Sequence, residues 1–165
     1  INDLLDMSKI EAGMLNYQIA GTDLNLLCKE VVNDLSSTTQ NDVKLLFKPE
    51  KDSFIINTDK QRLRQVIVNL VSNACKFTTE GEITISYKQL STDCLEIRVT
   101  DTGIGIATEN IPKLFNRFTK LNSNAKGTGL GLVICKSIIE HLGGEIGIES
   151  ELGKGSSFWF THPIS

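Results

Sequence analysis

The residues best suited to chemistry fall in three stretches. The first is Asp101-Thr102-Gly103-Ile104-Gly105-Ile106. It follows Leu95-Glu96-Ile97-Arg98-Val99-Thr100, whose alternation reads as a half-buried strand. A strand thus delivers one carboxylate into a loop. The two glycines let the backbone turn tightly and approach a ligand closely. A carboxylate held there accepts hydrogen bonds, and the amino group of a base such as adenine is a matching donor. A plain strand-end turn uses the same residues, so the reading rests on what surrounds them.

The second stretch is Asn69-Leu70-Val71-Ser72-Asn73-Ala74-Cys75-Lys76-Phe77. It lies in a predicted helix over residues 60–77, capped by Thr58 or Asp59. Leu63, Val66, Ile67, Leu70, Val71 and Ala74 form one wide apolar face. Asn69, Asn73 and Lys76 fall within about 60° of each other and about 120° from the centre of that face. Polar residues on a helix edge are usually just solvated, but two asparagines are poor helix formers to place mid-helix. A carboxamide oxygen is a hard neutral ligand suited to Mg²⁺, and Lys76 can pair with phosphate. The third stretch, Gly127-Thr128-Gly129-Leu130-Gly131-Leu132, opens a mostly apolar helix running to about residue 142. A glycine-rich loop feeding a helix N-terminus offers N–H groups and a positive dipole end to phosphate.

Other chemistries lack their residues. The GxGxG of the third stretch is not GxGxxG and lies late in the chain; no GxxxxGK[ST] loop, HRD or DFG occurs, and no Ser-His-Asp or Cys-His pattern is defensible. His141 is expected to be packed and His162 to be at the surface. With 165 residues and a net charge of −3, the chain can build one domain with a short appendage and shows no nucleic-acid surface. No apolar run is long enough to cross a bilayer. Cys28, Cys75, Cys94 and Cys135 have no metal-ligand spacing and read as reduced thiols of a cytosolic domain. A start at Ile1, inside an apolar pattern, is expected for a piece of a longer protein.

The remaining elements follow from periodicity. Residues 1–15 read as a helix with Ile1, Leu5, Ser8, Ala12 and Leu15 on one stripe and Leu4, Met7, Ile10 and Met14 on a second apolar side. A strand is expected over 16–23, a helix over 24–37 capped by Asp23 or Thr22, and strands over 43–48 and 53–57. A hairpin follows over 82–88 and 94–100, then a short helix over 108–115 with Thr108 as cap. A small polar loop over 119–126 is a candidate lid. A final hairpin spans 145–149 and 156–161.

In order and separation, the three stretches resemble the N, G1 and G2 boxes of sensor histidine kinases, and Leu114-Phe115-Asn116-Arg117-Phe118 looks like their F box. Each box alone is weak; four in register over nearly the whole chain are specific. Residues 1–13 resemble the end of the second helix of that family's dimerisation domain. The resemblance implies an α/β two-layer sandwich of the Bergerat ATP-binding type, a mixed sheet of about five strands backed by three helices. It divides the chain into a dimerisation-helix fragment at 1–15 and a catalytic domain at 16–165. It implies ATP with Mg²⁺. Asp101 would accept from the adenine amino group, with Gly103, Gly105 and Ile106 shaping that pocket and Phe77 against the base. Asn73 would ligate Mg²⁺, with Asn69 close to metal and phosphates and Lys76 on phosphate. Gly127, Thr128, Gly129, Leu130 and Gly131 would meet the phosphates by backbone. Lys120 stands where the family often carries a basic residue near the γ-phosphate, commonly Arg.

The implied reaction is phosphoryl transfer to a His on a dimerisation helix that is not in this chain, and from there to an Asp of a response regulator. The full-length protein is expected to be a homodimer and a membrane-bound sensor with this part in the cytoplasm. Two other readings compete. A hydrolytic ATPase of the gyrase, Hsp90 and MutL kind needs a Glu four residues before the metal-binding Asn, and Asn69 stands there instead, a poor base. A degenerate module that signals by docking would not need intact boxes.

Overall fold

The computed structural model describes residues 2–39, 42–115 and 130–165. Its centre is a five-stranded sheet in the order β2-β4-β5-β7-β6. The strands are β2 (Val43–Lys48), β4 (Gly81–Gln89), β5 (Cys94–Asp101), β6 (Ile146–Glu151) and β7 (Gly155–Pro163). Only the β2–β4 pair is parallel, so the sheet is mixed. Alternation sets its two faces: Ile83, Ile85, Leu95, Ile97, Val99, Phe158 and Phe160 are buried, while their neighbours face outward. Three helices cover the buried face: α2 (Leu24–Leu35), α3 (Lys60–Phe77) and α4 (Gly131–His141). The expected two-layer sandwich of five strands and three helices is what the chain forms.

All six residues assigned to the apolar face of α3 are buried, and Asp59 caps it by accepting from Arg62 N at 3.1 Å. Asp23 caps α2 through Asn25 N at 2.9 Å. The expected first strand is shorter. Only β1 (Ala20–Asp23) forms, pairing with β3 (Ile55–Thr58) in a separate two-stranded sheet. The residues before it are engaged elsewhere: Tyr17 stacks on His141 at 3.8 Å between ring centroids, and Gln18 N donates to Asp59 Oδ2 at 2.7 Å. The short helix after the Asp101 loop is a 3-10 helix, Thr108–Lys113, with no side-chain cap from Thr108.

The N-terminal helix α1 (Asn2–Glu11) packs through Met7 and Ile10, the second apolar side; Leu5 on the first stripe is 56% exposed, and Leu4 and Met14 are exposed as well. Asp6 holds it to α3 through Gln65 Nε2 at 2.7 Å and Arg62 Nη1 at 3.6 Å. Among the described residues no helix is long and apolar enough to cross a membrane, and no group of three or more His, Cys, Asp or Glu could hold a metal ion.

His162 is not at the surface: it is 1% exposed. Its Nδ1 lies 2.6 Å from Pro163 O, which can only accept, so Nδ1 carries the proton. Nε2 then accepts from Thr58 Oγ1 at 2.9 Å. The sequence missed this because the partner is 104 residues away. Burial lowers the His162 pKa, against the opposing pull of the Pro163 carbonyl. Stability from this group is full above the unfolded value of about 6.5. It is lost as pH falls through the lowered folded value, because the unfolded chain takes up a proton the folded chain resists. The urea midpoint should therefore drop between about pH 7.5 and about pH 5.5, and drop less in a His162→Asn variant; equal drops would contradict the assignment.

Candidate nucleotide site

Asp101 is the last residue of β5, paired with Ile83 on one side and Ser156 on the other. It is 2% exposed. Oδ1 accepts from Gly103 N at 2.9 Å and from Ser156 N at 3.3 Å. Oδ2 is buried and makes no hydrogen bond, and neither does the Thr78 hydroxyl. Desolvation pushes the Asp101 carboxyl above its usual range, offset in part by those two N–H groups and by the Thr78 hydroxyl, which is close to the carboxylate without meeting hydrogen-bond geometry. A buried acceptor with no partner is costly. Its geometry therefore fits a donor that arrives with a ligand.

The loop after Asp101 is clamped from three sides. Ile104 N donates to Phe77 O at 3.0 Å, which ties the loop to the end of α3. A Cβ on Gly103 would lie 2.1 Å from that same carbonyl oxygen. Thr102 pairs with Glu82 through Glu82 N to Oγ1 at 3.0 Å. Gly153 N donates to Ile104 O at 2.7 Å, and Gly105, at φ +73°, passes so close to Glu151 that a Cβ would meet its carbonyl oxygen at 2.1 Å. The buried Ile106 donates its N–H to Ser150 Oγ at 2.7 Å.

Ser150 and Ser156 were not singled out in the sequence, where nothing local marks them. Ser150 Oγ also reaches Gly155 O at 3.0 Å and Ser156 Oγ at 2.8 Å, so one hydroxyl joins the loop to both strands of the last hairpin. Ser150→Ala would strand the Ile106 N–H. It is expected to cost about 1–3 kcal/mol, read as a lower urea midpoint at unchanged slope. An unchanged midpoint would show that the hydroxyl is dispensable.

The other described residues expected at the site begin along α3. Asn69, Asn73, Lys76 and Phe77 run along one part-exposed edge of α3. Asn69 and Phe77 are about 12 Å apart along the axis at 1.5 Å per residue. At the Phe77 end sits the Asp101 loop. At the Asn69 end sits the start of α4: a Cβ on Gly131 would lie 3.9 Å from Asn69 Cγ and Nδ2. Leu130 before it is fully buried, and α4 begins there without a side-chain cap. Its dipole end and first-turn amides therefore face the Asn69 end of the edge. The structure brings together Asn69, Asn73, Lys76, Phe77, Asp101, Gly103, Gly105, Ile106, Leu130 and Gly131 on this edge and its two flanks. Lys120, Gly127, Thr128 and Gly129 lie outside the described residues, as do the candidate lid and the last three residues of the F-box stretch. An open cavity of about 380 Å³ beside Asp101 has Thr100, Glu149, Glu151, Lys154 and Ser157 in its lining; its carboxylates outnumber its one lysine, which pairs with Glu151, so it does not suit an anionic chain.

The arrangement offers one buried acceptor for a base at one end, a lysine beside it, and hard oxygens and a helix N-terminus for an anionic chain toward the other. Residues 58–165 match the family model described as histidine kinase-, DNA gyrase B-, and HSP90-like ATPase. Sensor protein GacS of Pseudomonas syringae pv. syringae is 39% identical over 98% of this chain and 19% of its own length. The signal transduction histidine-protein kinase BarA of Escherichia coli K12 is 36% identical over 97% of this chain and 18% of its own. The chain thus spans about a fifth of these curated relatives. Full-length ShkA, solved in complex with AMPPNP, superposes with a TM-score of 0.91 at 28% identity, over 99% of this chain and 35% of that one. The catalytic domain of histidine kinase ThkA gives a TM-score of 0.79 at 31% identity, over 89% of this chain and 96% of that one. The chain belongs to the histidine kinase-, DNA gyrase B-, and HSP90-like ATPase family, and within it to the ATP-binding catalytic domains of histidine kinases.

Proposed function

We propose that this chain binds ATP along the α3 edge and donates its γ-phosphoryl group to a histidine carried on a dimerisation helix. The observation that carries the proposal is the buried, unpartnered Oδ2 of Asp101, left for another donor because Oδ1 is committed to two N–H groups. That oxygen accepts from the adenine amino group, with Gly103, Gly105 and Ile106 around the base and Phe77 against it. The triphosphate runs past Lys76 toward Asn69, where the α4 start at Leu130 and Gly131 receives it, with Gly127, Thr128, Gly129 and Lys120 completing the phosphate side.

The donor set fits Mg²⁺: Asn73 would ligate it, and Asn69 would lie beside it, both through neutral hard oxygens on one helix edge. When bound, the ion offsets negative charge on the phosphate oxygens. In the transfer, the bond from the γ-phosphorus to the β–γ bridging oxygen breaks, a P–N bond to the imidazole forms, and ADP leaves. The chain's own residues act by positioning and charge. Asn69 supports transfer over hydrolysis, because a carboxamide cannot take a proton from water.

Residues 1–15 are read as the end of the second dimerisation helix and 16–165 as the catalytic domain. In support, α1 leaves Leu4 and Leu5 exposed, and Met14 just beyond its end is exposed as well. The whole protein would be a homodimeric, membrane-bound sensor that passes the phosphoryl group to a response-regulator aspartate. The test is incubation with γ-labelled ATP. The chain alone should stay unlabelled and release little phosphate, while a separate polypeptide with the phosphoacceptor helix pair should become labelled. Steady multiple-turnover phosphate release by the chain alone would move the reading to the hydrolytic branch of the family.

A further inference from the structure

Cys135 lies one turn into α4, four residues after Gly131, and is fully buried against α3. Its sulfur accepts from Asn69 Nδ2 at 3.6 Å and lies 3.9 Å from Val66 O, within reach of its own S–H. The carboxamide of Asn69 has a donor end and an acceptor end, and a helix edge in water would leave it free to turn. Here a thiol whose proton is directed to a carbonyl presents lone pairs to the amide nitrogen. The nitrogen end is thereby fixed on the α4 side, and the carbonyl oxygen is left as the end not engaged by Cys135.

We propose that Cys135 is a positioning residue: it sets the amide orientation of Asn69 so that Oδ1, not Nδ2, is offered to the nucleotide-bound cation. This rests on the reading of Asn69 as lying beside the cation. The same sulfur also fills the α3–α4 contact, so a variant must separate orientation from packing. Ser keeps an acceptor and a donor at nearly the same place. Ala and Val keep an apolar filler without an acceptor.

The experiment is calorimetric titration of the chain with a non-hydrolysable ATP analogue, with and without Mg²⁺, on wild type, Cys135→Ser, Cys135→Ala and Cys135→Val, beside their melting temperatures. Loss of the outer partner of a metal-site residue typically costs 10–100-fold in metal affinity. The tightening by Mg²⁺ should therefore shrink about tenfold in the Ala and Val variants while their Mg²⁺-free affinity holds, and Cys135→Ser should keep the wild-type gain. A purely structural role would lower both affinities together with the melting temperature. Should Ala or Val fail to fold, the other apolar variant decides. A wild-type Mg²⁺ gain retained in Ala and Val overturns the inference and leaves the site reading intact. A wild-type chain that binds the analogue without any Mg²⁺ gain overturns the reading of Asn69 itself, and the inference with it.

Discussion

Asp101→Asn is expected to lower affinity for adenine nucleotides about 100-fold or more while the chain stays folded. The inner oxygen of Asp101 accepts from two backbone N–H groups, Gly103 and Ser156. In the variant only the amide oxygen can take that place. The NH₂ group must then occupy the position of Oδ2, where it faces the adenine amino group donor to donor. The loss combines a hydrogen bond to a charged acceptor, about 1.5–3 kcal/mol, with the cost of leaving polar hydrogens unpaired, about 1–3 kcal/mol. Calorimetry or nucleotide-dependent thermal shift reads it. Because burial raises the Asp101 carboxyl above its ordinary range, wild-type affinity should also weaken on acidification earlier than a solvent-exposed carboxylate would allow. Near-wild-type affinity in the Asn variant would remove the base-recognition role from Asp101.

Gly105→Ala should be the most damaging small substitution in the loop. At φ +73° an L-residue costs about 1–2 kcal/mol. The added Cβ would also stand 2.1 Å from the Glu151 carbonyl oxygen and 2.8 Å from its carbon. These are backbone atoms of β6, held by the ladder with β7, and cannot swing aside as a side-chain tip would. The loop or the hairpin must shift, for a total of about 3 kcal/mol or more. For a chain of this size that is a fall of roughly 10 °C in melting temperature. The Ile104–Gly153 and Ile106–Ser150 bonds flank Gly105, so nucleotide binding should fall with stability. Gly13 provides the control: its φ is +67°, but a Cβ there meets nothing within 4 Å, so alanine at that place should cost only the backbone strain. A Gly105→Ala protein that melted with wild type would show that the loop has slack the clamp does not suggest.

Much of the site was legible because its parts are local. The apolar face of α3 follows from turning 100° per residue. The same arithmetic puts Asn69, Asn73 and Lys76 on one edge, and the alternation of β5 places Asp101 at a strand end with its side chain inward. What the sequence hid is what distant segments do to each other. β1 begins only at Ala20 because Tyr17 and Gln18 before it are taken by His141 and Asp59. His162 is buried because strand β7 carries it to Thr58. Ser150 and Ser156 hold the Asp101 loop only through the β6–β7 hairpin, and Cys135 meets Asn69 only because α3 and α4 cross there. None of these pairings has a period or a motif to read.

The most direct test of the account is calorimetric titration of the wild-type chain with a non-hydrolysable ATP analogue, in the presence and absence of Mg²⁺, beside Asp101→Asn. Binding in the micromolar range that tightens with Mg²⁺ and is lost in the variant is the predicted result. A folded wild-type chain that binds no analogue under either condition would contradict it and leave the domain to act by docking.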